Sequence, residues 1–289
     1  MLTSHIALNQ EEFLLLREYI QKECGIVVSD EKVYLIESRL ARLVVETDSK
    51  SFKEFYLKAK SDVTKNLRNK IIDAMTTNET LWFRDAKPWT IIEEVVIPKF
   101  IDDLRSGRKQ TIQVWSAACS TGQEPYSFAM MVLDALKRNP GISRNQFRIL
   151  GTDISPSALY MAISGRYNSI AMARGMLPQY RSQHFADDGA VCQLNDEIRQ
   201  MVTFKQFNLM HDFSKLPVCD LVFCRNVAIY FSPEMKRELF AKIHQITDKD
   251  GFFFIGSTES LIGYSEEYEQ FEYKKSVYYK PKKNRGSGL

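Results

Sequence analysis

A chain of 289 residues is long enough for one large domain plus a smaller one, and 44% hydrophobic with 26% charged residues is an ordinary globular composition. A formal charge of +3 is too small to mark a nucleic-acid binder. No run approaches the roughly 18 consecutive apolar residues that span a bilayer, so membrane insertion is not expected either. The first 13 residues turn acidic at once and lack the cationic-then-apolar order of a secretion signal, so a cytoplasmic protein is expected. The five cysteines (Cys24, Cys119, Cys192, Cys219 and Cys224) are scattered, odd in number and never spaced as CxxC, and the four histidines are equally dispersed. Neither a disulfide framework nor a metal centre is expected.

Residues 1–75 read as helices only. Phe13, Leu16, Tyr19 and Ile20 recur at helical spacing, as do Val33, Ile36, Leu40 and Leu43. Cys24-Gly25 marks a stop, and Ser29 or Asp30 is expected to cap the second helix. Two shorter helices follow near 51–59 and 62–75. Twelve Lys/Arg balance twelve Asp/Glu in this block, yet residues 50–70 hold seven bases against Glu54 and Asp62. That run suits either a solvated face or a surface for an acidic partner.

From Thr111 onward strands alternate with helices. Strands are expected at 112–118 and 147–151, the latter running into Thr152-Asp153, then at Cys219–Cys224, 251–256 and 276–279. Helices are expected at 125–137, Pro156–Ser164 and Pro233–Ile246. This order predicts an α/β fold with a mostly parallel, doubly wound sheet whose ligand lies beyond the carboxyl ends of the strands. Residues 165–201 break the rhythm with polar sequence around Asp187-Asp188-Gly189, a turn signal between strand-like runs. A small inserted antiparallel β-subdomain is expected over about 165–203, because a structureless loop of that length is unusual in a compact domain. The resulting division is 1–75 and 76–289. The basic residues after Tyr279 (Lys280, Lys282, Lys283 and Arg285) are expected to form a disordered end.

The turn after the first strand reads QVWSAACSTGQEP. Its small residues, Gly122 among them, let backbone approach a ligand closely. It is neither GxGxxG nor a Walker loop, so it does not predict a diphosphate cradle. Glu124 suits the ammonium of an amino-acid tail, and equally suits the first turn of a helix. Asp153, 31 residues after Gly122, can accept hydrogen bonds from ribose hydroxyls or cap the following helix. Together these features favour a nucleoside without phosphates, S-adenosylmethionine over NAD.

The segments WSAACSTGQEPYSFAM, TTNETLWFRD, LGTDIS, FKQFNLM and CDLVFCRNVAIYF, followed by GSTESL, resemble the successive motifs of the CheR-type chemotaxis receptor methyltransferases, which modify protein glutamates. The resemblance covers nearly the whole chain. It implies a class I Rossmann-like methyltransferase domain with a small inserted antiparallel β-subdomain, preceded by an all-α domain that docks on receptors. It further implies that Asn78, Thr80 and Arg84 hold the methionine end and reaction centre, that Glu124 and Asp153 bind ammonium and ribose, and that Asn208, Leu209, Cys224, Arg225 and Asn226 frame the adenine side and the floor. The donor would be S-adenosylmethionine and the product S-adenosylhomocysteine. Thr76–Glu79, spaced Thr-x-x-Glu, also reads as a capping box. Ala228 stands where the family commonly has a larger apolar residue.

Methyl transfer from a sulfonium is an in-line displacement in which the protein mainly positions the reactants. A glutamate acceptor is already ionised near neutral pH, with an unperturbed pKa of about 4.3, and needs no base. The chain accordingly lacks a His–Asp or Cys–His pair. The Asn/Asp-Pro-Pro-aromatic motif of many amine methyltransferases is replaced by Arg225-Asn226-Val227-Ala228-Ile229-Tyr230. Arg84 is the candidate to orient the acceptor carboxylate, or to pair on a surface at a helix start. Tyr230 is the candidate aromatic face beside the sulfonium, or a core ring. The resemblance also implies docking of the helical domain on the cytoplasmic coiled coil of a methyl-accepting chemoreceptor, with Lys32, Arg39 and Arg42 as candidate contacts. The β-subdomain segment HFADDGAVCQLND is shorter than in members that tether to a receptor's C-terminal peptide, so tether-independent recognition is expected. Two alternatives remain open here: a related carboxyl methyltransferase acting on another substrate, and a non-catalytic receptor-binding adaptor.

Overall fold

The computed structural model describes residues 6–283. The helical domain comprises α1 (Gln10–Cys24), α2 (Val33–Glu46), α3 (Phe52–Ser61) and α4 (Asn66–Met75) around Phe13, Leu16, Ile36, Leu40, Phe52 and Phe55, all fully buried. α1 opens on a capping box between Asn9 and Glu12 and ends at Gly25 in the left-handed conformation. The expected cap of α2 does not form. The Ser29 side chain makes no capping bond, because a 3-10 turn over Asp30–Lys32 intervenes and α2 begins one residue later, without a side-chain cap.

The chain then passes through α5 (Lys87–Ile91), a π-helical stretch over Ile92–Val96 and α6 (Ile97–Arg105), which bury Trp89, Ile91, Ile92, Val96, Phe100 and Ile101 and were not among the expected elements. The catalytic-domain elements follow as β1 (Ile112–Ala117), α7 (Gln123–Lys137), β2 (Phe147–Asp153) and α8 (Pro156–Ser164). An insert holds β3 (Arg166–Asn168), α9 (Ser169–Ala173), α10 (Pro178–His184), β4 (Phe185–Asp188), β5 (Val191–Leu194) and α11 (Asp196–Arg199). The chain returns through β6 (Val202–Gln206), β7 (Cys219–Cys224), α12 (Pro233–Ile246), β8 (Thr247–Phe254), β9 (Tyr268–Tyr273) and β10 (Ser276–Pro281).

The main sheet has the order β6-β2-β1-β7-β8-β10-β9, in which β6 to β8 are parallel and β10 runs antiparallel to both neighbours. β7 is buried at every residue, as a central parallel strand covered on both faces must be. The insert forms the separate antiparallel sheet β3-β5-β4, in which Asp188 pairs with Val191 across a two-residue turn led by Gly189 at φ +62°. The expected disordered tail is corrected in part. Lys280 belongs to β10 and Lys282 donates its backbone N–H to the Glu267 carbonyl, while Arg285 lies outside the described residues.

Successive strands after β1 build outward to β2 and β6, and then the chain returns to the other side with β7 and β8. The connections therefore diverge above the carboxyl ends of β1 and β7, where Ala117 pairs with Cys224, and a crevice opens there. Among the described residues, no helix is long and apolar enough to cross a membrane.

Candidate active site

The crevice is a cleft walled by the turns beyond β1 and β7 and by the end of the helical domain. Of the residues singled out from sequence, it is lined by Asn78, Thr80, Arg84, Glu124, Asp153, Asn208, Leu209, Arg225, Asn226 and Tyr230. Gly122 and Cys224 lie behind the wall. Lys32, Arg39 and Arg42 stand outside it, in the helical domain.

The wall beside β1 is a run of left-handed backbone, with Ala118 at φ +53°, Ser120 at +51° and Gly122 at +91°. A side chain on Gly122 would meet Ala162 at 2.9 Å, so this glycine lets α7 and α8 approach rather than touching the ligand itself. The turn aims the Ser120 backbone N–H at Asp153 Oδ2 (2.8 Å), while Oδ1 accepts the N–H of Ser155 (2.9 Å). Ser155, not Asp153, caps α8, its hydroxyl accepting the N–H of Ala158. Asp153 is thus free of the capping role that its position suggested. Burial pushes its carboxyl above the ordinary aspartate value, against the two backbone donors that favour the ionised form.

Glu124 lies in the first turn of α7, but its carboxylate is not left to the helix dipole. Oε1 accepts the Ser116 hydroxyl (2.8 Å) and Oε2 accepts Arg225 Nη1 (2.9 Å). Arg225, with a side chain only 2% exposed, also donates Nη2 to Asp85 Oδ2 (2.8 Å) and to the Arg84 carbonyl (3.0 Å). One buried guanidinium therefore ties α7 to the segment that carries Arg84. The same Arg84 carbonyl accepts Trp89 Nε1, and Arg84 Nη1 donates to the Glu79 carbonyl. Arg84 makes no ion pair among the described residues, which removes the surface-pair reading. Glu79 pairs instead with Arg174 of the insert (2.6 Å). The Thr76–Glu79 capping box does not form either. Thr76 is the C-cap of α4, and its hydroxyl turns back to the Asp73 carbonyl.

The helical domain completes the cleft. Cys24, the last residue of α1, and Ile26, on the turn that follows, line it beside Met75. Nothing in the catalytic motifs pointed to these residues. The Asn208 amide donates to the Glu23 carbonyl (2.8 Å), and the Val27 N–H donates to the Tyr230 carbonyl (2.9 Å). Tyr230 is partly buried against the core around α12, yet still faces the cleft. Arg39, expected on a receptor face, donates to the Met75 carbonyl (2.6 Å) and to Thr77 (3.1 Å), and so braces the linker. Arg42 pairs with Glu46 one turn on, and Lys32 is exposed just ahead of α2.

The two thiols of the cleft are poor nucleophiles. Burial pushes Cys24 up to about 11, and burial beside Asp153 and Glu124 holds Cys119 far above the usual thiol range. The lining carries three carboxylates, Glu79, Glu124 and Asp153, against two guanidiniums, Arg84 and Arg225, a formal balance of −1. That balance disfavours a polyphosphate and suits S-adenosylmethionine, whose sulfonium, ammonium and carboxylate sum to one positive charge. Buried Arg225 Nε and Asn226 Oδ1 have no protein partner, which leaves one donor and one acceptor for the polar ends of such a ligand.

Residues 78–277 match the family described as CheR methyltransferase, SAM binding domain, and residues 11–76 match CheR methyltransferase, all-alpha domain. The chain is 37% identical over 278 residues to the chemotaxis protein methyltransferase of Vibrio anguillarum, covering 96% of this chain and 99% of that one. It is 37% identical over 272 residues to chemotaxis protein methyltransferase 1 of Pseudomonas aeruginosa, covering 94% and 98%. With the chemotaxis protein methyltransferase of Borreliella burgdorferi, identity is 34% over 268 residues, covering 90% and 91%.

Replacing Arg225 by Met strands Glu124 and Asp85 without their counter-charge. Loss of one partner of a buried ion pair costs about 3 kcal/mol, so Arg225→Met is expected to lower the denaturant midpoint measurably as well as abolish turnover. An unchanged midpoint would show that the guanidinium does not hold the site together.

Proposed function

Because the chain belongs to the CheR methyltransferase family, we propose that it esterifies glutamate side chains on the cytoplasmic coiled coil of a methyl-accepting chemoreceptor. It is an S-adenosylmethionine-dependent methyltransferase of the chemotaxis type. When bound, the cofactor supplies a methyl group on a sulfonium, a good leaving group. The protein's part is to hold the acceptor oxygen in line and to exclude water.

The observation that carries the carboxylate acceptor is the state of the charged groups in the cleft. No histidine or lysine is among the described lining residues, and each carboxylate is already engaged, Glu79 by Arg174, Glu124 by Arg225 and Asp153 by two backbone N–H groups. A proton-bearing acceptor would find no free base. An ionised glutamate needs none, and Arg84 offers an unpaired guanidinium to orient it. In this reading Asn78 and Thr80 flank the donor's methionine end, Arg225 and Asn226 meet its polar groups, and Tyr230 lies beside the sulfonium. Asp153 takes the ribose, with Asn208 and Leu209 on the adenine side, while Gly122 and Cys224 shape the wall from behind.

For the receptor, the exposed Lys32 and Arg42 are the helical-domain contacts we favour, and Arg39 supports the linker beneath them. The two-residue β4–β5 hairpin supports recognition without a tether peptide. These roles place the enzyme in the cytoplasm, where that part of the receptor lies.

Incubation with methyl-labelled cofactor and receptor fragments is expected to give label that leaves as methanol in mild base, at equal rates with and without the receptor's C-terminal tail. Base-stable label would sink the ester reading, and a strong requirement for the tail would sink tether independence. Arg84→Ala is expected to lower kcat by about 100-fold or more with little change in Tm, since an orienting contact acts in the transition state; normal turnover would remove its role.

Asp153 gives a pH signature. Its carboxylate must be ionised to accept two ribose hydroxyls, and burial raises its pKa. Cofactor affinity is therefore full at neutral pH and falls as pH drops through a value above the ordinary carboxylate range of about 4. Asp153→Ala should weaken binding by about 10- to 100-fold, the worth of one or two hydrogen bonds to a charged group, and should flatten this acid limb. Calorimetry that finds unchanged affinity would overturn the assignment.

A further inference from the structure

We propose that Glu259 is a positioning residue of the methyl-donor cleft, acting through Asn226 and Arg225 without touching the ligand. The inference rests on reading the cleft as the donor site. Glu259 lies on the turn after β8, outside the lining of the cleft.

β7 and β8 are parallel neighbours, with Phe223 opposite Phe254. β8 ends at Phe254 and β7 one residue beyond Phe223, at Cys224, and the buried backbone N–H groups past these ends need acceptors from outside the ladder. Glu259 serves both strand ends with a single carboxylate oxygen. Oε2 accepts the N–H of Asn226, just past β7, at 2.6 Å, and the N–H of Gly256, just past β8, at 2.7 Å. The Glu259 N–H in turn donates to the Gly256 carbonyl at 2.9 Å, closing a reciprocal turn. The approach is so close that a side chain on Gly256 would stand 2.6 Å from both Asn226 Nδ2 and Glu259 Oε2.

The strap has a geometric consequence upstream. It holds Asn226 at φ +59°, a conformation that a side chain makes unfavourable. Asn226 follows Arg225 directly, so the same turn aims the guanidinium at Glu124, Asp85 and the Arg84 carbonyl. If the strap is lost, Asn226 can relax toward ordinary backbone and Arg225 loses its aim. Glu259 Oε1 is buried and has no protein partner. An unpartnered buried carboxylate oxygen is a cost that the turn would not need if it only had to close a loop.

Because one oxygen accepts both N–H groups, the requirement is a correctly placed acceptor and not a charge. Glutamine supplies that oxygen at the same reach; aspartate keeps the charge but falls one methylene short. Calorimetry with S-adenosylhomocysteine on the full chain separates the possibilities. Glu259→Gln is expected to bind within about threefold of the parent protein, whereas Glu259→Ala and Glu259→Asp are expected to weaken binding about tenfold or more, the effect of losing roughly one to two hydrogen bonds' worth of positioning. The same order, Gln near the parent and Asp near Ala, is expected in KM for the donor. A charge role predicts the reverse order, and that result overturns the proposal, as does parent-like binding by Glu259→Ala. Should Ala and Asp fail to fold, the Gln variant decides alone, since weakened binding there is incompatible with an acceptor role. Failure of the parent protein to bind S-adenosylhomocysteine would sink the reading of the cleft and not that of Glu259.

Discussion

The buried guanidinium of Arg225 is the constraint on which the site depends. An ion removed from water in this way survives only when its hydrogen bonds are met by opposite charge and by carbonyls in good geometry. Here Glu124, Asp85 and the Arg84 carbonyl meet them. Those partners belong to two separate stretches of chain: the first turn of α7, and the segment ahead of α5 that holds both Asp85 and Arg84, the residue proposed to orient the acceptor. Satisfying one charge therefore fixes Glu124 relative to the segment that carries Arg84, before any ligand arrives.

The second constraint is the seam between the domains. The catalytic domain alone would leave the crevice above β1 and β7 open on the side now closed by Cys24 and Ile26. Directional bonds hold that closure, namely Asn208 to the Glu23 carbonyl, Val27 to the Tyr230 carbonyl and Ser155 to Asp73 at 2.6 Å. Arg39 braces the linker from above. A domain expected to serve the receptor is thus also part of the donor pocket. Lys32 and Arg42, the contacts proposed for the receptor, flank or lie on α2, the same helix whose Arg39 braces the linker.

Sequence patterning read β1, β2, β7 and β8 and their helices because each is a short apolar run or an amphipathic stretch bounded by Gly, Pro or Asp, but it missed the parallel edge strand β6, whose first residues were expected in the insert. The limits of α8, β7 and α12 agree with those expected. It also read the insert, since Asp188-Gly189 marks a tight hairpin. β9 escaped because half of YEQFEY is exposed at the sheet edge and its two glutamates and glutamine offset the strand-favouring Tyr and Phe, so neither burial nor propensity gives a clear signal. Within the cleft, motif residues were legible one at a time, but their partners were not. Nothing local links Glu124 to Arg225, 101 residues away, or Asn208 to Glu23, 185 residues away. Arg39 shows the same limit: its helical side was visible, but the carbonyl it reaches was not. Glu259 lay in a recognised motif yet had no assigned role, since its partners are backbone groups that no residue type signals.

Strain is concentrated where these partners meet. Among the described residues, ten non-glycine residues have positive φ, and six of them, Phe83, Asp85, Ala86, Ala118, Ser120 and Asn226, sit on the turns that shape the cleft. Each such residue costs on the order of 1–3 kcal/mol and persists only where surrounding bonds over-determine it. The bonds are identifiable. Asp153 holds Ser120, Ser127 Oγ accepts the Phe83 N–H, Arg225 holds Asp85, and Glu259 holds Asn226. Besides the ligand roles proposed for them, acids of the site thus hold backbone in conformations it would otherwise leave. For a reaction that needs no proton transfer and depends on in-line placement of donor and acceptor, rigid turns of this kind are the form that catalysis takes in the protein.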